Sequence, residues 1–453
     1  MRKYFGTDGV RGIANTELNS SLAYRLGRAG GFVLTKESKN NTRVRVVVGR
    51  DTRISGDMLE SALIAGLMSV GCDVITVGVI PTPGVAYLTR KYGANCGVVI
   101  SASHNPVEYN GIKFFNDKGF KLDDSIELEI EKHIDNENLL DKWPVGVDVG
   151  RKIYEHNAVR DYVDYIKSNI EGDLKGLKIV LDCANGAAYK VAPMAYRELG
   201  AEVVEINCQP NGNNINDNCG STHPESLQKK VLEVGAHMGM AYDGDADRLI
   251  AVDEKGNIVD GDKIMLISAL DMKSKGKLKN DTLVVTVMSN IGLRIAAKEN
   301  GINLSTTKVG DRYVLEDMIN KGYNLGGEQS GHLVFLDYNT TGDGTMSSLI
   351  LASIVKFKNR SMSSLASVMD QYPQVLVNVK VKNEYKNTYM EISEIAEKIG
   401  EIEKEMDGQG RVLIRPSGTE PLVRVMIEGK DENHIYRLAK ELADLIDEKI
   451  GLN

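Results

Sequence analysis

Apolar positions in the first third of the chain come as short unbroken runs that alternate with stretches of helical period. Val44–Val48 is a β-branched run ending in Gly49-Arg50-Asp51. Ser55 opens a helical pattern through Leu59, Leu63, Leu67 and Val70, closed by Gly71. Val74–Val79 is the next strand, stopped by Pro81 and Pro83. A short helix carrying Tyr87 and Leu88 runs to Gly93, and Cys96–Ile100 is a third strand. Runs without polar alternation suit strands buried on both faces. The β-α-β-α-β order predicts a mainly parallel sheet covered by helices.

The order restarts twice. After Trp143-Pro144-Val145-Gly146, read as an inter-domain joint, come strand Lys178–Leu181, helix Tyr189–Leu199, strand Glu202–Ile206, helix Pro224–Val234 and strand Gly239–Tyr242. After Gly256 come strand Thr282–Val287, helix Ile291–Lys298 and strand Asn303–Thr306. The last part differs. Val375–Val381 alternates as a strand, followed by a helix near Ile392–Glu405, strands Arg411–Ile414 and Val423–Ile427, and a helix near Ile435–Lys449. The expectation is three successive mixed-sheet α/β domains, at residues 1–150, 151–254 and 255–370. A smaller C-terminal α+β domain follows at 371–453, with Gln371-Tyr372-Pro373 at its start.

A chain of 453 residues has room for several such domains, and 42% hydrophobic with 26% charged residues is an ordinary globular balance. The net charge of -8 weighs against a nucleic-acid partner, whose phosphates call for a basic surface. The five cysteines are odd in number and none are spaced as C-x-x-C, which points to reduced thiols rather than a disulfide scaffold. The first residues turn polar at once and no apolar run is long enough to span a bilayer. The reading is a cytoplasmic protein with no membrane partner.

Four short segments could carry chemistry. In Asp243-Gly244-Asp245-Ala246-Asp247-Arg248, three carboxylates at alternating positions follow a predicted buried strand and repel one another unless a cation sits among them. Hard oxygen ligands on a turn suit magnesium or calcium. A helix–loop–helix calcium site is the nearest competitor, but Arg248 stands where that loop needs glycine, and Leu249–Val252 reads as a strand. A solvated acidic turn is the bland alternative. In Ser101-Ala102-Ser103-His104-Asn105-Pro106, Ser103 is presented on a turn at the C-terminal end of a parallel strand, where open α/β sheets place ligands. No G-x-S-x-G elbow surrounds it, which speaks against a serine hydrolase. Alone, the segment reads more readily as a capping serine in a turn. Arg415-Pro416-Ser417-Gly418-Thr419-Glu420-Pro421 offers a guanidinium, hydroxyls and turn amides that would cradle a phosphate, and reads equally as a hairpin loop. Gly326-Gly327-Glu328-Gln329-Ser330-Gly331-His332 combines glycines with the polar groups that sugar hydroxyls need, although a lone histidine is more often structural.

Together these segments resemble the α-D-phosphohexomutase superfamily over essentially the whole chain. The likeness includes Phe5–Gly12, Gly49-Arg50-Asp51-Thr52-Arg53, Ser101–Pro106, Asn110–Phe114, Asp243–Arg248, Gly327–His332, Asp337–Gly344 and Arg415–Thr419. The resemblance implies four domains around a central cleft and a phosphoryl transfer between O6 and O1 of a hexose phosphate, through a phosphoserine enzyme and a bisphosphate. It implies that Ser103 carries the phosphate and joins Asp243, Asp245 and Asp247 on one Mg2+ per chain. Arg11, Lys113 and His332 match catalytic positions. Arg248, Lys308, Glu328 and Ser330 match substrate binders, with the loop around Lys308 departing most from the pattern. Arg415, Ser417, Gly418 and Thr419 match the grip on the non-reacting phosphate. The wording of Gly327–His332, with Gln329, resembles the members that act on glucosamine phosphates more than those acting on glucose or mannose phosphates. That implies hexosamine 1,6-bisphosphate as activator and intermediate, and a product that feeds amino-sugar nucleotide and cell-wall synthesis. A phosphoglucomutase or phosphomannomutase, a non-catalytic sugar-phosphate sensor and a metal-stabilised scaffold are the alternatives. A homodimer is left open.

Overall fold

The computed structural model describes residues 3–6, 8–37, 43–136, 143–416 and 421–452. They fall into two compact units, Met1–Met288 with Ile302–Ser367, and Ser289–Gly301 with Val368–Asn453.

The first unit holds three sheets. The first sheet contains β1 (Val10–Ile13), β2 (Arg45–Arg50), β3 (Asp73–Val79), β4 (Cys96–Ile100), β5 (Tyr109–Asn116) and β6 (Lys152–Tyr154), in the order β1-β5-β4-β2-β3-β6. Strands β4, β2, β3 and β6 are parallel, as the β-α-β pattern requires, whereas β5 and β1 add an antiparallel half. Helices α1 (Ser20–Glu37), α2 (Ser55–Ser69), α3 (Thr82–Lys91) and α4 (Asp124–Ile134) cover it. Helices α1 and α2 approach closely because glycines meet: a Cβ on Gly27 would lie 2.2 Å from the Leu63 carbonyl oxygen, and one on Gly66 2.1 Å from that of Tyr24.

The second sheet follows α5 (Ala158–Ser168). It contains β7 (Lys178–Asp182), β8 (Glu202–Ile206), β9 (Met238–Tyr242), β10 (Leu249–Asp253) and β11 (Ile258–Val259), in the order β11-β10-β9-β7-β8, with helices α6 (Ala188–Glu198) and α7 (Glu225–Val234). The third sheet has the order β13-β12-β14-β15 and follows α8 (Gly261–Ser274). Its strands are β12 (Thr282–Thr286), β13 (Asn303–Thr307), β14 (Leu325–Gly327) and β15 (Leu333–Phe335). Between β12 and β13 lies α9 (Ile291–Glu299), and α10 (Asp311–Lys321), α11 (Gly344–Lys358) and α12 (Met362–Ala366) complete the segment. Polar contacts tie the three sheets together. Thr52 Oγ1 donates to the Asn185 carbonyl (2.6 Å), the Ile54 amide to the Gly212 carbonyl (2.9 Å) and the Tyr162 hydroxyl to Asp343 (2.7 Å). Arg90 donates to Asn339 (2.9 Å) and Thr340 Oγ1 to the Gly119 carbonyl (2.6 Å). The run 339–344 is thus a junction of all three.

The second unit is an antiparallel sheet of β16 (Gln374–Lys380), β17 (Gly410–Pro416) and β18 (Leu422–Gly429), in the order β16-β18-β17. Helices α13 (Ser393–Glu405) and α14 (Glu432–Ile450) close a core that includes Val379, Ile395, Val425, Leu438 and Leu442. Helix α9 also belongs here, although the alternating pattern places it with the third sheet. Asn290 caps it and exchanges hydrogen bonds with the Tyr372 backbone (2.9 and 3.1 Å), while the Ile291 amide donates to buried Glu428 (3.2 Å). No sequence periodicity reports such a partner from 80 to 140 residues away.

Candidate active site

The hairpin between β9 and β10 is six residues long, Asp243–Arg248, and its strands pair directly at Tyr242 and Leu249. Its backbone is held from outside: the Thr82 amide donates to the Asp245 carbonyl (2.9 Å), the Ala187 amide to that of Gly244 (2.8 Å) and the Gly344 amide to that of Ala246 (3.0 Å). Asp243, Asp245 and Asp247 are buried, and one carboxylate oxygen of each lies within 4.8 Å of the others. Among the described residues they form the one such group of acidic, histidine or cysteine ligands. Buried oxygens Oδ1 of Asp245 and of Asp247 have no hydrogen-bond partner. Burial, then the neighbouring Asp247 and Asp245, drives the Asp243 carboxyl well above the usual range, and burial with Asp245 raises Asp247. Burial alone would raise Asp245 too, but Lys113 and the Thr82 hydroxyl outweigh it and hold that group low. Orphaned hard oxygens in a crowded anionic pocket are what a divalent cation would satisfy, so the residues fit a metal site.

Ser103 stands on the loop after β4, buried, with its backbone in the left-handed region (φ 52°). Its hydroxyl donates to Asp243 Oδ2 at 2.6 Å and lies 3.3 Å from His104 Nδ1. The structure therefore brings together the serine and the acidic loop, 140 residues apart in the chain. Burial, then Arg248 and Arg11, lowers His104 to about 4, so the ring is neutral at pH 7.

Antiparallel strand β5 carries Lys113 to the same place. Its Nζ lies 3.2 Å from Asp245 and 3.0 Å from Asp8. Burial opposes the ammonium charge, but Asp245 and Asp8 overcome this and raise the group. Asp8 also binds Arg11, from β1, and Lys121 (2.6 Å), and Lys121 bridges onward to Asp311 at the start of α10 (2.5 Å). In the sequence Lys113 stood out as a catalytic candidate and Asp8 lay in the Phe5–Gly12 run, but nothing there joined them to Lys121 and Asp311 in one network. Its members come from four separate segments.

His332 is buried; its Nε2 accepts from the Gly342 amide (3.0 Å), and its Nδ1 lies 3.7 Å from Asp247 Oδ2. A side chain at position 342 would strike the ring, since a Cβ there would sit 2.4 Å from Nε2. Arg248 pairs across an isolated bridge with His332 and its Nε, 4.0 Å from Asp247, has no hydrogen-bond partner. Glu328 accepts from the Gly310 amide (3.0 Å), Gln329 donates to Asp260 (3.1 Å), and Ser330 and Lys308 are exposed.

In the second unit Arg415, on β17, faces Arg424 directly across the ladder. Burial and the opposing Arg424 depress its pKa below the ordinary value. Like charges opposed in a sheet are unfavourable, and an anion shared between them would remove the penalty. Arg424 carried no signal in the sequence, being one arginine within a strand. Ser417, Gly418 and Thr419 lie outside the described residues.

A hydroxyl aimed at a buried carboxylate trio, on a chain of three α/β sheets and one α+β unit, is the arrangement of a phosphohexomutase. The family models agree in order: phosphoglucomutase/phosphomannomutase domain I matches residues 2–141, domain II 160–256, domain III 260–372 and the C-terminal domain 376–445. The chain belongs to the phosphoglucomutase/phosphomannomutase family. More particularly, it is 71% identical to the phosphoglucosamine mutase of Clostridioides difficile, over 100% of both chains. Among solved structures it resembles a phosphoglucomutase/phosphomannomutase family protein of Burkholderia thailandensis (TM-score 0.80, 26% identity, 98% of this chain and 97% of that one). The fold is shared also with Aspergillus fumigatus N-acetylphosphoglucosamine mutase in complex with GlcNAc-6P and magnesium (TM-score 0.68, 18% identity, 99% and 96% covered).

Proposed function

We propose that the protein is a phosphoglucosamine mutase that interconverts glucosamine 6-phosphate and glucosamine 1-phosphate in the cytoplasm, supplying amino-sugar nucleotide and cell-wall synthesis. The observation that carries this reading is the 2.6 Å hydrogen bond from Ser103 Oγ to Asp243 inside the buried carboxylate trio. The identity to phosphoglucosamine mutases over the full length supports the choice of sugar.

In this reading Asp243, Asp245 and Asp247 would hold one Mg2+ with Ser103, and the ion would supply neutralisation of charge on the phosphoryl oxygens. Phosphoserine 103 passes its phosphoryl group to the free O1 or O6 hydroxyl. The Ser103 Oγ–P bond breaks as the sugar O–P bond forms, and the proton of the sugar hydroxyl, moved by way of His332, ends on Ser103 Oγ. Arg11 and Lys113 stabilise the transferring oxygens, with Asp8 holding both. Arg248, Lys308, Glu328 and Ser330 read the sugar. Arg415, with Ser417, Gly418 and Thr419, grips the non-reacting phosphate. The hexosamine 1,6-bisphosphate then turns end over end and returns the other phosphate to Ser103. Division of labour follows the four segments 1–150, 151–254, 255–370 and 371–453.

The test is kcat/KM for glucosamine, glucose and mannose phosphates, each with a trace of its own bisphosphate. Glucosamine phosphate should be preferred, with side activity on the others because reading one substituent is worth only about 1–3 kcal/mol. A neutral hexose preferred by about tenfold, or about 1.4 kcal/mol, overturns the glucosamine reading in favour of a phosphoglucomutase or phosphomannomutase.

A further inference from the structure

The Gly49–Arg53 run carries two charged residues, Asp51 and Arg53, that are completely buried and whose hydrogen bonds go to neither the carboxylate trio nor Lys113. Arg53 instead grips the serine loop. Its Nε donates to Asp51 Oδ2 (2.9 Å), its Nη2 donates to the Ser103 and Asn105 carbonyls (2.9 and 2.8 Å), and its Nη1 donates to the Pro106 carbonyl. From the other side Asn216 Nδ2 donates to the Ser103 and Asn105 carbonyls (2.9 and 3.1 Å). Asp51 completes the clasp: it accepts from Ser101 Oγ (2.6 Å), which in turn accepts from the Ser103 amide (2.9 Å). Both backbone polar groups of Ser103 are thus tied to one buried ion pair. That matters because Ser103 sits at φ 52°, where a residue with a side chain pays a conformational cost and stays only if its surroundings over-determine it.

We propose that Arg53, locked by Asp51, is the positioning residue that aims Ser103 Oγ for phosphoryl transfer. This rests on the phosphoserine reading above. Because Asp51 neutralises the guanidinium, Arg53 acts on the direction of the serine oxygen rather than on the charge of the phosphate. A lysine at this position keeps a cation beside Asp51 but lacks the planar fork that reaches three carbonyls at once.

Arg53→Lys and Ser101→Ala are compared with the wild type in two measurements. One is the rate at which hexosamine 1,6-bisphosphate phosphorylates Ser103, followed by intact mass; the other is steady-state kcat and KM. Misaiming a reacting atom by about 1 Å costs about a hundredfold, so Arg53→Lys should lose about that much in kcat and in phosphorylation rate, with KM changed less than about threefold. Ser101→Ala should lose a smaller factor in the same two quantities. A folded Arg53→Lys protein with wild-type kcat and phosphorylation rate overturns the proposal, as does a loss that appears only in KM. If Arg53→Lys does not fold, Ser101→Ala decides: an unchanged kcat and phosphorylation rate overturns it. A wild type that never gains phosphate on Ser103 defeats the phosphoserine reading itself, a result distinct from these.

Discussion

At the scale of single residues, the proposed site rests on a few side-chain oxygen atoms. Ser103→Ala removes the proposed phosphate carrier and only the hydroxyl's contacts to Asp243 and His104, so turnover should vanish while the melting temperature stays within a few degrees. Intact mass should show a phosphate-bearing population in the wild type and none in the variant. Asp245 loses its unpartnered oxygen in Asp245→Asn, and the paired charge facing Lys113 with it. Metal affinity measured by calorimetry and kcat should fall together, and chelation of the wild type should abolish activity that magnesium restores. Full activity after chelation would remove the cation from the mechanism. These residues were visible in the sequence because each group is local: three aspartates within five positions, a serine before Asn-Pro. Arg53 was visible only as part of a motif without a role, Asp311 only as the end of the loop around Lys308, and Lys121 not at all. Their significance lies in contacts spanning 50 to 190 residues, which no local pattern encodes.

At the scale of elements, strands buried on both faces were readable to within a residue or two, since an unbroken β-branched run has little else to become. Strand β5 was hidden because its buried positions include Asn110, Gly111 and Lys113, polar or small residues that break the apolar run, and of these Lys113 reaches Asp245. Helix α10 shows how an element's end serves the site. Its first residue, Asp311, pairs with Lys121 and lies 3.8 Å from His332. Burial would raise its carboxyl, but Lys121 and His332 prevail and hold it at about 2 against an ordinary 3.8. A depressed carboxylate contributes stability above its unfolded value and loses it as pH falls through the folded one. Asp311→Asn should therefore lower the urea midpoint at pH 7, and the gap to wild type should narrow between about pH 4 and pH 2. A gap independent of pH would mean that the ion pair is not what Asp311 contributes.

At the scale of the whole molecule, the repeating order of strands and helices announced three α/β segments and a different fourth. It gave no sign that α9 is built into the fourth. The proposed function depends, at this scale, on a phosphate grip that serves both orientations of the intermediate. Arg415→Ala should weaken the 1-phosphate and the 6-phosphate alike, by about 1.5–3 kcal/mol in apparent affinity for a lost charge-assisted contact. Inhibition constants for the two product forms would show it, and a loss confined to one of them would contradict the end-over-end scheme. The placement of α9 also sets a schedule for synthesis. Ribosomes add about 5–20 residues per second and domains generally fold as they emerge. Asn290 and Ile291 leave the tunnel long before Tyr372 and Glu428, the groups that bind them, have been made. The first two sheets can mature on the growing chain. The C-terminal unit must wait, on the order of ten seconds at those rates, until nearly the last codon has been read. A ribosome that stalls after Ser367 leaves a helix with its cap exposed and nothing to receive it.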